Sequence, residues 1–132
     1  FQKNRHPHSK PIIQMDGPAV FKKGIEIVTK SIMALLKKHA IDPHAITYFI
    51  AHQANIRILE SVAKKLGIPF DRFLINIDSV GNTSAASIPL ILSEHFDQNT
   101  FKKGDTLCLL GFGAGFTWSS ILLEWSESYE HS

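Results

Sequence analysis

The sequence has 132 residues, 44% of them apolar and 20% charged, and a formal net charge of +2. That length suits one domain with its own core, and so small a charge gives no argument for nucleic acid. A single cysteine excludes an intrachain disulfide and fits a reducing compartment such as the cytoplasm, and no apolar run approaches the roughly 20 residues of a membrane span.

The chain opens on Phe1 rather than Met, as expected of a fragment, a processed chain or one with further residues upstream. Residues 1–10, FQKNRHPHSK, read as an irregular lead-in without the apolar stretch of a signal peptide. PIIQM (11–15) is a short strand candidate, closed by Asp16, Gly17 and Pro18. Over residues 20–39 the period changes. Phe21, Ile25, Val28, Ile32 and Leu35 recur at helical spacing, with Lys22, Lys23, Glu26, Lys30 and Lys37 mostly elsewhere on the wheel, which predicts an amphipathic helix. Asp42 and Pro43 form a turn, and ITYFIA (46–51) reads as a buried strand. A second helix is expected over 55–66, with Ile56, Leu59, Ala63 and Leu66 on one face and Gly67 just past its end. FLINI (73–77) is the next strand, and GNTSAAS (81–87) leads into a third helix ending near Asp97. DTLCLL (105–110) is a buried strand, GFGAG (111–115) a glycine turn, and FTWSSILLEW (116–125) a last, antiparallel strand before the polar tail 126–132.

The order β-α-β-α-β-α-β-β predicts an α/β domain over 11–125, with a five-stranded mixed sheet, mostly parallel, and helices on both faces. The third helix adds a requirement. Ala85, Ala86, Ile88, Pro89, Leu90, Ile91 and Leu92 surround its first turns, and a helix apolar all round must be buried all round. One sheet covers one side, so a second sheet or another partner is expected on the other; an exposed apolar patch that makes a dimer is the alternative. Pro89 removes a helical hydrogen bond and is tolerable only near the first turn.

In a parallel sheet, ligands bind at the carboxyl ends of the strands. Three polar words follow such ends: HQAN after 46–51, DSVGNTSAAS after 73–77 and GFGAGF after 105–110. His52 offers a ring N–H, Asn82 an amide NH₂, and the glycine turn free backbone N–H groups. Neutral donors that converge make a site for a developing oxyanion, such as the enolate oxygen of a thioester. Each piece also has a purely structural reading: His52 as a turn residue, Gly81 and Asn82 as a turn pair, Thr83 or Ser84 as a helix cap, the glycines as hairpin residues. No nucleophile is evident. Cys108 lies inside an apolar run and reads as an inert core residue. The seven histidines show no metal-ligand spacing, and GFGAGF is not a dinucleotide fingerprint because no helix follows it.

AHQANIRILESVAKKLG, NIDSVGNTSAASIPL and LLGFGAGFTWSSILLEW together resemble β-ketoacyl-acyl-carrier-protein synthase III, an initiating condensing enzyme of the thiolase superfamily, from about Met15 to Trp125. Elongating synthases, biosynthetic thiolases and chalcone synthases differ at the Asn loop. The resemblance implies the C-terminal of two similar halves, packed in the complete enzyme as a five-layered αβαβα sandwich, which agrees with the cover required over the third helix. It implies decarboxylative condensation of a malonyl thioester on acyl carrier protein with an acyl-CoA primer, in the initiation of fatty acid synthesis. The nucleophilic Cys would come from the other half, so the isolated chain is expected to be inactive. His52 and Asn82 would hold the malonyl thioester carbonyl, Phe112 would line the decarboxylation site, and the N–H of Ala114 would help hold an oxyanion on the acylated Cys. Many relatives carry Gly at the position of Ala114, a change that leaves the N–H in place. The implied partners are acyl carrier protein, acyl-CoA, the N-terminal half and a second copy in a homodimer. No cofactor, metal, nucleic acid or membrane is implied. Arg57, Lys64 and Lys65 share a helix face at i, i+7, i+8, and Lys22 and Lys23 begin the first helix, so a basic rim would attract the acidic carrier and the phosphates of CoA. Asn55 and Arg57, nearest His52, are the expected contacts; a solvated helix face is the plainer alternative. A non-catalytic condensing-enzyme-like partner or assembly subunit is the second reading of the whole chain.

Overall fold

Gly17 and Pro18, expected to close a turn, are the first residues of a helix in the computed structural model, which describes residues 17–126. Pro is at home there, because its fixed φ suits a helix and its missing N–H would have had no partner in the first turn. The helix, α1 (Gly17–Lys38), ends with Lys37 and Lys38 beside its last carbonyls, a favourable sign of charge for that end. The lead-in 1–10, the strand candidate 11–15 and the tail beyond Ser126 lie outside the described residues.

Three strands form one mixed sheet among the described residues, in the order β1 (Tyr48–Ala51), β2 (Thr106–Gly113), β3 (Thr117–Glu124). β1 runs parallel to β2, with Tyr48 opposite Leu107 and Ala51 opposite Leu110. β3 is antiparallel to β2, with Phe112 opposite Trp118 and Gly113 opposite Thr117. The turn between them is therefore 114–116. Gly111, Phe112 and Gly113, expected to turn, extend β2 instead. The reversal falls on Gly115, whose φ of 73° lies in the left-handed region that glycine enters at no steric cost.

Of the five expected strands three are formed, the run 73–77 does not join the sheet as a strand, and 11–15 lies outside the described residues. The run 73–77 makes a single bridge, Phe73 to Phe49, and one further bond, Leu74 N–H to the Phe49 carbonyl at 3.0 Å. Beyond Leu74 the chain leaves the sheet. Asn76 takes φ −139° and ψ 9°, its carbonyl accepts from Ser79 and Val80, and Asp78 lies in the first turn of a short helix, α3 (Ile77–Val80). The local preference of Asn and Asp for helix starts overrides the strand propensity of Ile75 and Ile77.

Helices cover both sheet faces, as expected. Side chains alternate along a strand. Phe49 and Ala51 of β1, with Cys108 and Leu110 of β2, face α1 and α2 (Ile56–Leu66) through Ile25, Val28, Ile32, Leu36, Leu59 and Val62. Ile50 and Leu107 face the other way, against Ile91, Ile88 and Leu92 of α4 (Ser87–Asp97). Gly24 lets α1 approach α2: a Cβ there would already touch Ile58 Cδ1 at 3.4 Å. The all-round burial expected of α4 does not occur within the chain. Ser87 and Ile91 are buried, while Ala85 and Ala86 ahead of the helix and Pro89 and Leu90 in it are exposed. Pro89 is the third residue of α4, in the turn where a missing N–H costs least. Among the described residues no helix is long and apolar enough to cross a membrane.

Ile32 has no exposed surface and stands in the middle of the α1 face that meets the sheet. Ile32→Ala should destabilise the fold by about 2–5 kcal/mol, the cost of a large-to-small change with incomplete collapse, read from urea unfolding.

Candidate functional site

The last rung of the β1–β2 pairing is made by His52, whose backbone N–H donates to the Leu110 carbonyl at 2.8 Å. Its imidazole therefore starts beside the end of β2. The His52 and Phe112 rings meet edge to face, with centroids 5.1 Å apart and planes at 74°. Together they border a cleft of about 600 Å³. Ser84, Ala85 and Ile88 line one wall; Gly111, Gly113, Thr117, Trp118 and Ser119 of the β2–β3 hairpin line the other. All three expected loops thus border one site, through His52, through Ser84 and Ala85, and through Phe112, and Ala114 follows Gly113 as the first residue of the hairpin turn.

Asn82 is exposed and is not among the residues that line the cleft. Its carboxamide oxygen accepts from the Ser84 N–H at 2.9 Å. A backbone N–H can only donate, so this bond assigns the amide's oxygen and leaves the NH₂ as its donor end. Ser84, two residues on, has φ 53° and does line the cleft.

The other amides of the HQAN word have structural work. Gln53 is fully buried, and its Nε2 donates to the carbonyls of Ala51 at 3.0 Å and Leu74 at 3.4 Å. Its Oε1 is buried with no partner among the described residues. Asn55, expected at the ligand, is the N-cap of α2: its side-chain oxygen accepts from the Arg57 N–H at 2.9 Å. Removing such a cap costs about 1 kcal/mol. Arg57, Lys64 and Lys65 are exposed along α2, Arg57 in its first turn and the lysines in its last, roughly 10 Å further along the axis. Lys22 is exposed on α1. None of the four lines the cleft.

Sequence reasoning missed Ser87 and Thr83 as site residues. Ser87 is 1% exposed, and its Oγ lies 3.1 Å from His52 Nδ1 and accepts from Thr83 Oγ1 at 3.3 Å. The sequence offered only a cluster of hydroxyls ahead of a helix, and the turn that brings Thr83 to Ser87 is not written in their spacing. Trp118, 56% exposed at the cleft wall, gives no sign in the sequence beyond its place in a strand.

The electrostatics favour neutral groups. Burial pushes the His52 pKa below its ordinary value of 6.5, and a hydrogen bond with the Ser84 backbone works in the opposite direction. A neutral ring carries one N–H donor and one acceptor nitrogen. Burial pushes the Cys108 thiol up to about 12, so it carries no thiolate near neutral pH and cannot serve as a nucleophile. The site can therefore polarise a carbonyl with neutral donors, but it holds no group of its own that attacks one.

A histidine whose folded pKa is lowered binds fewer protons folded than unfolded between the two values. Its contribution to stability is present above about pH 6.5 and is lost as pH falls through that window. An NMR titration should give His52 a midpoint below 6.5, and His52→Gln should flatten the acid side of the stability profile; a midpoint at or above 6.5 contradicts this.

Comparison with known proteins gives a consistent picture. The family model described as 3-oxoacyl-[acyl-carrier-protein (ACP)] synthase III C terminal matches residues 36–125. A beta-ketoacyl-[acyl-carrier-protein] synthase III of Clostridium tetani is 50% identical over 113 residues, which cover 86% of this chain and 34% of that protein. One from Streptococcus thermophilus is 48% identical, with 86% and 35% covered. The crystal structure of 3-oxoacyl-(acyl carrier protein) synthase III from Pseudomonas aeruginosa superposes with a TM-score of 0.81 at 40% identity, covering 86% of this chain and 35% of that one. The corresponding protein of Aquifex aeolicus gives 0.82 at 37% identity, with 85% and 36% covered. The chain spans about a third of the length of the curated relatives it matches.

Proposed function

The chain belongs to the 3-oxoacyl-ACP synthase III C-terminal family, and from that premise we propose that it carries the decarboxylating half of a condensing site. The substrates are a malonyl thioester on acyl carrier protein and an acyl group from an acyl-CoA primer, joined at the start of fatty acid synthesis. His52 and Asn82 donate N–H groups to the malonyl thioester oxygen. As the C–C bond to the carboxylate breaks, CO₂ leaves and its electron pair forms the enolate that those two donors hold. The enolate carbon then attacks an acyl thioester on a cysteine supplied from outside these 132 residues. The Ala114 N–H helps hold the tetrahedral oxyanion, and the cysteine thiolate leaves. Phe112 keeps the departing carboxylate in an apolar setting. The exposed side of α4 is where the rest of the enzyme packs. Arg57, Lys64, Lys65 and Lys22 form a basic rim for the acidic carrier and the CoA phosphates.

The observation that supports this reading most directly is the meeting of the β1 and β2 ends, which sets a neutral His52 edge-on to Phe112 at a cleft beside the loop of Asn82. The second reading, a non-catalytic partner of condensing enzymes, draws on one fact: the chain's sole cysteine is buried and unreactive.

The two readings part on activity. In the complete protein, His52→Ala or Asn82→Ala should slow malonyl-thioester decarboxylation by about 10²–10³-fold, the cost of one oxyanion donor. Unchanged turnover would refute the role, and no condensation by the unaltered complete protein would favour the non-catalytic reading. For the rim, Arg57→Ala combined with Lys64→Ala should raise KM for the carrier-bound substrate at unchanged kcat, with the difference fading as salt rises. A salt-independent effect would remove the electrostatic account.

A further inference from the structure

We propose that Ser87, backed by Thr83, is the positioning residue that fixes the His52 tautomer, holding the ring proton on Nε2. Two distances define the relay: Thr83 Oγ1 to Ser87 Oγ at 3.3 Å and Ser87 Oγ to His52 Nδ1 at 3.1 Å. Ser87 is 1% exposed, so bulk water does not compete for its hydroxyl. A serine hydroxyl has one proton to give and lone pairs to receive. Thr83 donates to it, so the Ser87 proton goes to Nδ1. A nitrogen that accepts carries no proton in the neutral ring, which leaves the ring N–H on Nε2, at the opposite edge.

The two hydroxyls flank one short turn. Ser87 is the first residue of α4, and Thr83 precedes the 3₁₀ turn Ser84–Ala86 that leads into it. Thr83 precedes that 3₁₀ turn and Ser87 follows it, so the turn brings the two hydroxyls within hydrogen-bond reach. The relay also joins the two loops that the proposed function requires. Thr83 adjoins Asn82, so one chain of hydrogen bonds runs from the Asn82 loop to the imidazole at the end of β1. The catalytic consequence rests on the proposed function: an oxyanion needs a ring N–H donor, and the relay dictates which nitrogen carries it. Without Ser87 the two tautomers approach equality and only part of the population presents Nε2–H.

The test reads the proton directly. The full 132-residue chain is labelled with ¹⁵N at histidine, and the His52 signals are assigned by their loss in His52→Gln. At neutral pH the unaltered chain should show the Nε2–H tautomer of His52 in excess. Ser87→Ala should reduce that excess by about three- to tenfold, as expected for loss of one buried hydrogen bond. The substitution places the best helix former at a helix start, so the fold should persist, and a single cooperative unfolding transition whose midpoint falls by no more than the loss of one buried hydrogen bond checks this. Thr83→Val should move the ratio in the same direction by less, and Thr83→Ser should restore it. A proton found on Nδ1 in the unaltered chain, or a ratio indifferent to Ser87→Ala, overturns the proposal. In the complete protein, Ser87→Ala should lower kcat for malonyl-thioester decarboxylation more than it raises KM. If the tautomer ratio shifts while decarboxylation does not respond, the relay stands and the catalytic reading of His52 falls.

Discussion

The parallel pairing of β1 with β2 is the constraint on which the rest depends. Its last rung, from the His52 N–H to the Leu110 carbonyl, ends where the site begins. Parallel strands cannot be joined by a tight turn, so this pairing brings together segments far apart in the chain and costs loop-closure entropy. That cost is offset by burial on two faces. α1 and α2 seal Phe49, Ala51, Cys108 and Leu110 on one side, and α4 meets Ile50 and Leu107 on the other. A side chain at the end of β1 then has one place to go, the cleft edge beside Phe112.

Features that depend on neighbours in sequence are legible in the sequence alone. The spacing of Ile25, Val28 and Ile32 announces α1, and the apolar run at 46–51 announces β1. Gly67 ends α2 with φ 69°, as a glycine in that position should. Features that depend on distant partners are not. FLINI reads as a strand by composition, but whether it stays in the sheet past Leu74 is decided by Asn76 and Asp78 turning the chain, and by a side chain from β1's own exit loop. The apolar belt of α4 was visible, but sequence carries no record of which side the sheet takes.

The site divides in the same way. His52 and Phe112 could be named because each ends a recognisable strand. Asn82 could be named from its loop, yet its amide turned out to be oriented by a bond to Ser84 within that loop. Asn55 looked like a ligand contact because of its position, and the structure gives its oxygen to the first turn of α2. Ser87 went unnoticed because its partner is 35 residues away, and a serine among GNTSAAS has no visible reason to matter more than its neighbours. Burial acts on the two polarisable groups in opposite senses for one reason: it disfavours charge, so the imidazole stays neutral and the Cys108 thiol keeps its proton.

Gln53 shows how the exit from the sheet is built. On one side of β1 the backbone ladder continues to His52; on the other it stops at Leu74, and the Gln53 carboxamide reaches across to the Ala51 and Leu74 carbonyls in place of the next rung. The end of β1 is thus a cantilever, clamped along one flank by main chain and guyed along the other by a single buried side chain. Such a mounting lets the chain leave the sheet plane over the four residues between β1 and α2 while the residue at the tip keeps its bearing.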